Sequence, residues 1–213
     1  INPKKFIGVI SSNFKSTQTA QVRAYSCLFN SSKTELTKES NDPYYTMMCY
    51  FNSLRELSTT LTLLQIDIVD RLDQLRTRYG LKLEEMRQIK NFEELTSRHS
   101  GASLKKIMDN LALPSDDPNG RALDIVVCSN IIEVGVDIDR LSLLTVLNQP
   151  KSVATYIQVA GRIGRKWMDS AEEPGRPGLV LTIYSHLRSR DLAYYEMFKS
   201  FHQSMYKYVE SSS

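Results

Sequence analysis

The residues of this 213-residue chain that could do chemistry crowd between Asp124 and Arg165. Gln158, Arg162 and Arg165 are spaced four and three apart in the run Gln158-x-x-Gly161-Arg162-x-Gly164-Arg165. On a helix that spacing puts an amide and two guanidinium forks on one face, where they can converge on a single anionic target. Arginine suits the task better than lysine, because its planar fork meets two phosphate oxygens at once and stays charged. Gly161 and Gly164 keep side-chain bulk away from a ligand. Upstream, the apolar run Ile125-Val126-Val127-Cys128 gives way to Ser129-Asn130 and then to Glu133-x-Gly135-x-Asp137. Gly135 permits a tight turn, and Asp137 presents a carboxylate just beyond it. Ligands of open α/β sheets gather at the carboxyl ends of strands, so this stretch marks a candidate site. Glu133 is given no chemistry.

The same sequence lacks other parts of a nucleotide site. It contains no G-x-x-x-x-G-K-[ST] phosphate loop and no Gly-Lys pair, so nothing in it cradles β and γ phosphates. It also has no Asp-Glu pair of the kind that holds Mg²⁺. A nucleotide met by Arg162 and Arg165 would have to be shared with another domain.

Together the two dense motifs resemble motifs V and VI of superfamily-two helicases, in which a second RecA-like domain closes over ATP held by the first. The resemblance implies a RecA-like α/β fold, a parallel sheet with helices on both faces. It implies that Arg162 and Arg165 act as arginine fingers on the γ-phosphoryl group, ordered by Gln158. Gly135 and Asp137 would lie on the nucleotide side, Asp137 touching the ribose or linking the domains. ATP and Mg²⁺ would be held mainly by the absent first RecA-like domain, so that this chain alone is inactive. In such helicases a strand crosses the tops of both domains, held through its phosphates. The residues implied here are Ser53, Arg55, Thr96, Ser97, Arg98, Ser129 and Asn130. Ser53 and Ser97 read equally as helix or turn caps.

Further phrases, Cys49-Tyr50-Phe51-Asn52-Ser53-Leu54-Arg55-Glu56-Leu57, Glu94-Leu95-Thr96-Ser97-Arg98 and Ser189-Arg190-Asp191-Leu192-Ala193-Tyr194-Tyr195-Glu196, resemble the large helicase of the DISARM phage-defence system and its relatives in the mitomycin-repair group. That likeness covers nearly the whole chain, although the family motif usually has proline where Ser189 stands. It implies an ATP-dependent DNA helicase or translocase of antiviral defence or DNA repair. Its partners would be single-stranded or duplex DNA, the first RecA-like domain and other defence-system subunits. The alternative is a non-catalytic nucleic-acid or protein-binding module that kept the fold, against which both arginines argue.

The elements that must position these residues can be read from periodicity. Short β-branched runs alternate with helical patterns, the signature of a parallel sheet covered on both faces. Strands are expected at 6–10, 47–51, 92–95, 124–128, 143–147 and 179–184. One long helix is expected after its cap Ser53, with Leu54, Leu57, Leu61, Leu64, Ile68, Leu72 and Leu75 on one side. Others are expected at 17–29, 103–113, 152–162 and 191–209. The stretches 29–43 and 168–178 read as loops. Residues 1–40 form either a separate N-terminal strand and helix or part of the same sheet as residues 41–213.

Composition sets outer bounds. The length suits one well-packed domain, and 41% apolar with 24% charged residues excludes disordered and fibrous classes. A net charge of +3 is too mild to mark a dedicated nucleic-acid binder. Cys27, Cys49 and Cys128 lack any C-x-x-C pairing, which points away from zinc and disulfides and toward a reducing, cytoplasmic location. His99, His186 and His202 form no pattern of metal ligands. No apolar run approaches the ~20 residues that span a bilayer, so no membrane is expected. Ile1 and the terminal Ser211-Ser212-Ser213 read as the bounds of a piece of a longer chain.

Overall fold

The computed structural model describes residues 4–11, 16–34, 38–96, 99, 101–129, 138–164 and 177–210. Six strands form one sheet: β1 (Lys4–Ile10), β2 (Met47–Phe51), β3 (Phe92–Leu95), β4 (Ile125–Cys128), β5 (Leu143–Leu147) and β6 (Gly178–Tyr184). Their order is β1-β6-β5-β2-β4-β3, and every neighbouring pair is parallel. The expected fold class is therefore observed, with each strand within two residues of its expected start. β1 pairs along β6 from Lys4–Gly178 to Ile10–Tyr184, as an edge strand of the same sheet.

Alternation along the strands divides the core between two faces. Met48 and Tyr50 of β2, Val126 and Cys128 of β4, Leu144 and Val146 of β5 and Val180 of β6 face one way. There they meet α5 (Gly101–Ala112), α6 (Val153–Ala160) and α8 (Phe198–Glu210) through Ile107, Leu111, Tyr156, Val159 and Met205. Met47, Cys49 and Phe51 face the other way with Ile125, Val127, Leu143 and Ile183. This side is covered by α1 (Thr17–Thr34), α3 (Leu54–Gln65) and α4 (Asp67–Tyr79), which contribute Tyr25, Phe29, Leu57, Leu64 and Ile68. Strands buried on both faces read as continuous apolar runs, and each Leu or Ile so buried contributes roughly 1.5–3 kcal/mol.

The helices depart from expectation in four places. The long helix after Ser53 is two, α3 and α4, broken at Ile66, whose φ is −119° and ψ −72°. The apolar period runs across the one-residue break. Asp67 and Asp70, which suit the positive end of a new helix, were its signal. Leu54, counted on the buried face, is exposed. The described residues of the stretch 29–43, expected as a loop, are helical: α1 runs on to Thr34, and α2 (Lys38–Tyr45) has Pro43 inside it. Its polar residues are used in tertiary contacts that propensity does not register. Lys33 Nζ donates to the carbonyls of Glu84 and Met86, and the Ser32 hydroxyl accepts from Arg87. The C-terminal helix is also two, α7 (Ser189–Glu196) and α8, separated at Met197. Finally, α6 ends at Ala160 rather than 162. The expected loop at 168–178 lies largely outside the described residues.

A buried ion pair ties the crossover before β3 to the start of β4. Arg87 donates to Asp124 Oδ1 at 3.0 Å, and its guanidinium lies 4.0 Å from the Phe29 ring centroid and 3.8 Å from that of Tyr45. Asp124 Oδ2 accepts the backbone N–H groups of Lys90 and Asn91 at 2.8 and 2.9 Å. Removing one partner of such a pair strands a buried charge. Asp124→Ala is therefore expected to destabilise this corner by about 3–5 kcal/mol. Hydrogen exchange of the β3 and β4 amides in the intact protein reads that loss directly, and a change under about 1 kcal/mol would show that the pair is not the tie described.

Candidate nucleic-acid interface and arginine site

Because the sheet is all parallel, the carboxyl ends of its strands share one edge, and their backbone donors run out of ladder partners there. Two carboxylates take them up. Asp191, 1% exposed, accepts Gln149 N–H on Oδ1 at 3.1 Å and Ser185 N–H on Oδ2 at 2.8 Å, joining the ends of β5 and β6. Burial pushes its carboxyl above the ordinary range, opposed by these two donors. Glu56 Oε2 accepts Asn52 N–H at 3.2 Å, and Oε1 accepts Asn148 Nδ2–H at 3.0 Å and Arg188 at 2.8 Å, joining β2 to β5. Asn52 Nδ2 completes the joint by donating to the carbonyls of Leu147 and Asn148 at 2.9 and 3.1 Å.

Asn148 is the one non-glycine residue with positive φ, 63°, among the described residues. Asparagine tolerates this left-handed backbone better than most residues, and its N–H still reaches Ile183 O at 2.8 Å. The turn redirects the chain from β5 toward Ser152, whose hydroxyl accepts Thr155 N–H and caps α6.

The structure separates the sequence-predicted site residues into two groups. Ser53, Arg55 and Ser129 stand at the carboxyl edge, after β2 and β4. Ser53 caps α3 by accepting Glu56 N–H at 3.2 Å and is exposed, as is Arg55. The cap reading of Ser53 is thus observed, and it leaves the hydroxyl proton available to a ligand. Ser129 is half-buried. Thr96, after β3, is 2% exposed and its hydroxyl donates to Glu94 Oε1 at 3.1 Å.

The second group lies along α6, which descends from the carboxyl edge to the amino edge. Gln158 is exposed on its last turn, and Arg162 is half-buried in the turn beyond its end. At the bottom, Gly164 N–H donates to Leu141 O at 2.7 Å, just ahead of β5. Gly164 has φ +62°, and a Cβ on it would stand 2.7 Å from the backbone of Gly178, at the start of β6. Eight helical residues at 1.5 Å each put about 12 Å between the two ends of α6. The expected helical face through Gln158, Arg162 and Arg165 is therefore interrupted, because the chain leaves the helix at Gly161 to make this backbone contact. Arg165, Gly135, Asp137, Ser97, Arg98 and Asn130 lie outside the described residues.

Four residues that sequence reasoning passed over complete the carboxyl edge: Glu56, Asn148, Arg188 and Asp191. With Ser53, Arg55, Thr17 and Ser185, three of them border a cleft of about 300 Å³ on the α1–α3 side. The available signals were the polar residues at strand ends, Asn148 after β5 and the Arg188-to-Asp191 run after β6.

A six-stranded parallel sheet with a polar carboxyl edge and an arginine turn at the far end of α6 defines the RecA-like class of α/β domains. A family model described as helicase conserved C-terminal domain matches residues 48–166, more than half of the chain, and the chain belongs to that family. DISARM protein DrmA of Bacillus paralicheniformis is 36% identical over 202 residues, covering 93% of this chain and 17% of the relative, so the chain spans about a sixth of that protein's length. Among solved structures, the DUF1998 helicase MrfA bound to DNA superimposes with a TM-score of 0.54 at 15% identity, over 93% of this chain and 21% of that one. The C-terminal domain of an S. cerevisiae Dbp5 variant bound to Gle1 and IP6 gives 0.52 at 12% identity, over 95% and 85%. These likenesses show the fold.

A histidine anchors α6 from below. His202 on α8 has Nδ1 2.7 Å from Phe198 O, so Nδ1 carries the proton and Nε2 accepts the Tyr156 hydroxyl at 3.0 Å. Tyr156 OH is also 3.0 Å from Thr182 Oγ1. Burial lowers the His202 pKa, opposed by the bond to Phe198. The folded protein holds the neutral ring, so its contribution is present above the ordinary histidine pKa of about 6.5 and is lost as pH falls through the lower folded value. Hydrogen exchange of α6 and α8 amides is expected to accelerate on acidification from about pH 7.5 to 5 beyond the intrinsic pH effect. The added acceleration should vanish in His202→Gln; if it persists there, another group is responsible.

Proposed function

We propose that this chain is the C-terminal RecA-like half of an ATP-dependent DNA helicase or translocase. Arg162 and Arg165 act as arginine fingers ordered by Gln158, Gly135 and Asp137 face the nucleotide, and ATP with Mg²⁺ is held mainly by a partner RecA-like domain. Ser53, Arg55 and Ser129, with Ser97, Arg98 and Asn130, grip strand phosphates. Thr96 sits inside the edge and supports them. The observation that carries this reading is the division of labour between the two ends of α6, with the exposed hydroxyl of Ser53 and guanidinium of Arg55 at the sheet's carboxyl edge, where α6 begins, and Arg162 beyond its last turn. DNA as the polymer is supported by the DNA in the MrfA structure, and a role in phage defence by the DISARM name of the Bacillus relative.

In mechanism, closure of two domains around ATP and their reopening after hydrolysis would shift the grip along a strand. The fingers stabilise charge that builds on the transferred phosphoryl group, and the edge contacts hold the polymer without reading its sequence. The chain by itself is expected to turn over no ATP, having no phosphate loop.

In the full-length protein, Arg162→Ala and Arg165→Ala are each expected to lower kcat by about 10³ or more, with DNA affinity nearly unchanged. A finger acts on charge present only in the transition state, so turnover suffers more than binding. Arg165→Lys should not restore full rate, because lysine lacks the two-point fork. Steady-state ATPase with and without single-stranded DNA makes the comparison. A fully active Arg165→Lys beside an unfolded Arg165→Ala would reassign that arginine to a structural ion pair.

A further inference from the structure

The cleft on the α1–α3 side of the carboxyl edge is built for an anion. Its rim brings together Thr17, Gln18, Ser53, Arg55, Ser185 and Arg188. The start of α3 borders the same cleft, with Ser53 as its cap, and a helix N-terminus adds positive potential. The Arg55 guanidinium is exposed and meets no hydrogen-bond or ion-pair partner among the described residues. The side chain of Arg188 is 52% exposed and reaches Glu56 Oε1 at 2.8 Å. Among the described residues, Glu56 is the only carboxylate lining the cleft, and both its oxygens are already occupied, by Asn52 N–H on one and by Asn148 and Arg188 on the other. Its negative charge is thus turned inward, leaving the opening positive.

We propose that this cleft seats one phosphodiester of the nucleic-acid strand between Arg55 and Arg188, with Arg188 moving from Glu56 to the phosphate as the strand arrives. The inference rests on the edge being a nucleic-acid interface, and adds to it Arg188 as a contact and Glu56 as the group that holds Arg188 in reserve. An ion pair with a half-exposed arginine opens easily, whereas a guanidinium–phosphate pair is charge-assisted and two-pointed. Glu56 keeps Asn52 and Asn148 when Arg188 leaves, so the strand ends of β2 and β5 stay joined while the cleft is filled.

The test is binding of a labelled oligo-dT strand to the full-length protein across roughly 50–200 mM salt. Wild type is expected to weaken steeply with salt, and Arg188→Gln to bind more weakly with a log–log slope shallower by about one. Arg188→Lys keeps the charge and is expected to keep the slope while losing part of the affinity. Glu56→Gln acts with the opposite sign: freeing Arg188, it is expected to tighten binding a few-fold. A purely structural bridge would be damaged by either change. At matched ionic strength, unlabelled strand should displace the probe and inorganic phosphate should not. A wild-type affinity insensitive to salt would sink the nucleic-acid reading of the whole edge. A salt-dependent wild type with an unchanged slope in Arg188→Gln, a Glu56→Gln that binds more weakly, or displacement by inorganic phosphate would overturn the cleft proposal alone.

Discussion

The geometry of this domain depends on how the backbone donors at the ends of its parallel strands are satisfied. A ladder supplies partners along a strand but not past its last residue, and a buried N–H without an acceptor costs about as much as a lost hydrogen bond. Here two carboxylates supply the acceptors. Asp191 binds β5 to β6 and Glu56 binds β2 to β5, so three adjacent strand ends are held by side chains from α7 and α3. The turn at Asn148, and with it the placement of α6, follows from those two clamps.

The clamps also set the electrostatics of the edge. Carboxylates facing a polyanion would repel it, yet both are directed into the sheet and occupied by donors, Asp191 being almost fully buried. Among the described residues of the cleft, what remains outward is hydroxyl, amide and guanidinium. The structural demand for acceptors and the positive character of the surface are thereby met by the same residues, negative charge being drawn inward and neutralised by backbone N–H groups.

Much of this was legible from sequence. The strands were, because burial on both faces makes each a short apolar run, and so was the family, whose model spans the glycine- and arginine-bearing motifs. The helix limits were not. The break at Ile66 leaves the three-to-four-residue apolar period intact, so only the acids at Asp67 and Asp70 mark it. The helices over 29–45 are stabilised by contacts of Lys33, Ser32 and Tyr45 with a segment some fifty residues away, which no local pattern contains. The end of α6 was missed for the same reason: Gly164 leaves the helix to lie against Gly178, a partner fourteen residues on. Nothing local in the sequence marks the role of Glu56 and Asp191, because only the sheet brings the strand ends to them.

The two glycines at the foot of α6 turn that helix into a lever. Its upper end is fixed through Ser152 and the clamped β5 turn, and its lower end through the Gly164–Leu141 bond and the backbone contact with Gly178. A rod fastened at both ends to one sheet cannot slide over it, so any tilt of the domain about its upper edge is transmitted whole to the far end. With an arm of about 12 Å, a rotation of roughly five degrees carries Arg162 about 1 Å, the scale on which alignment of reacting groups is gained or lost. A rocking motion too small to alter the sheet's packing would be enough to displace that arginine by such a distance.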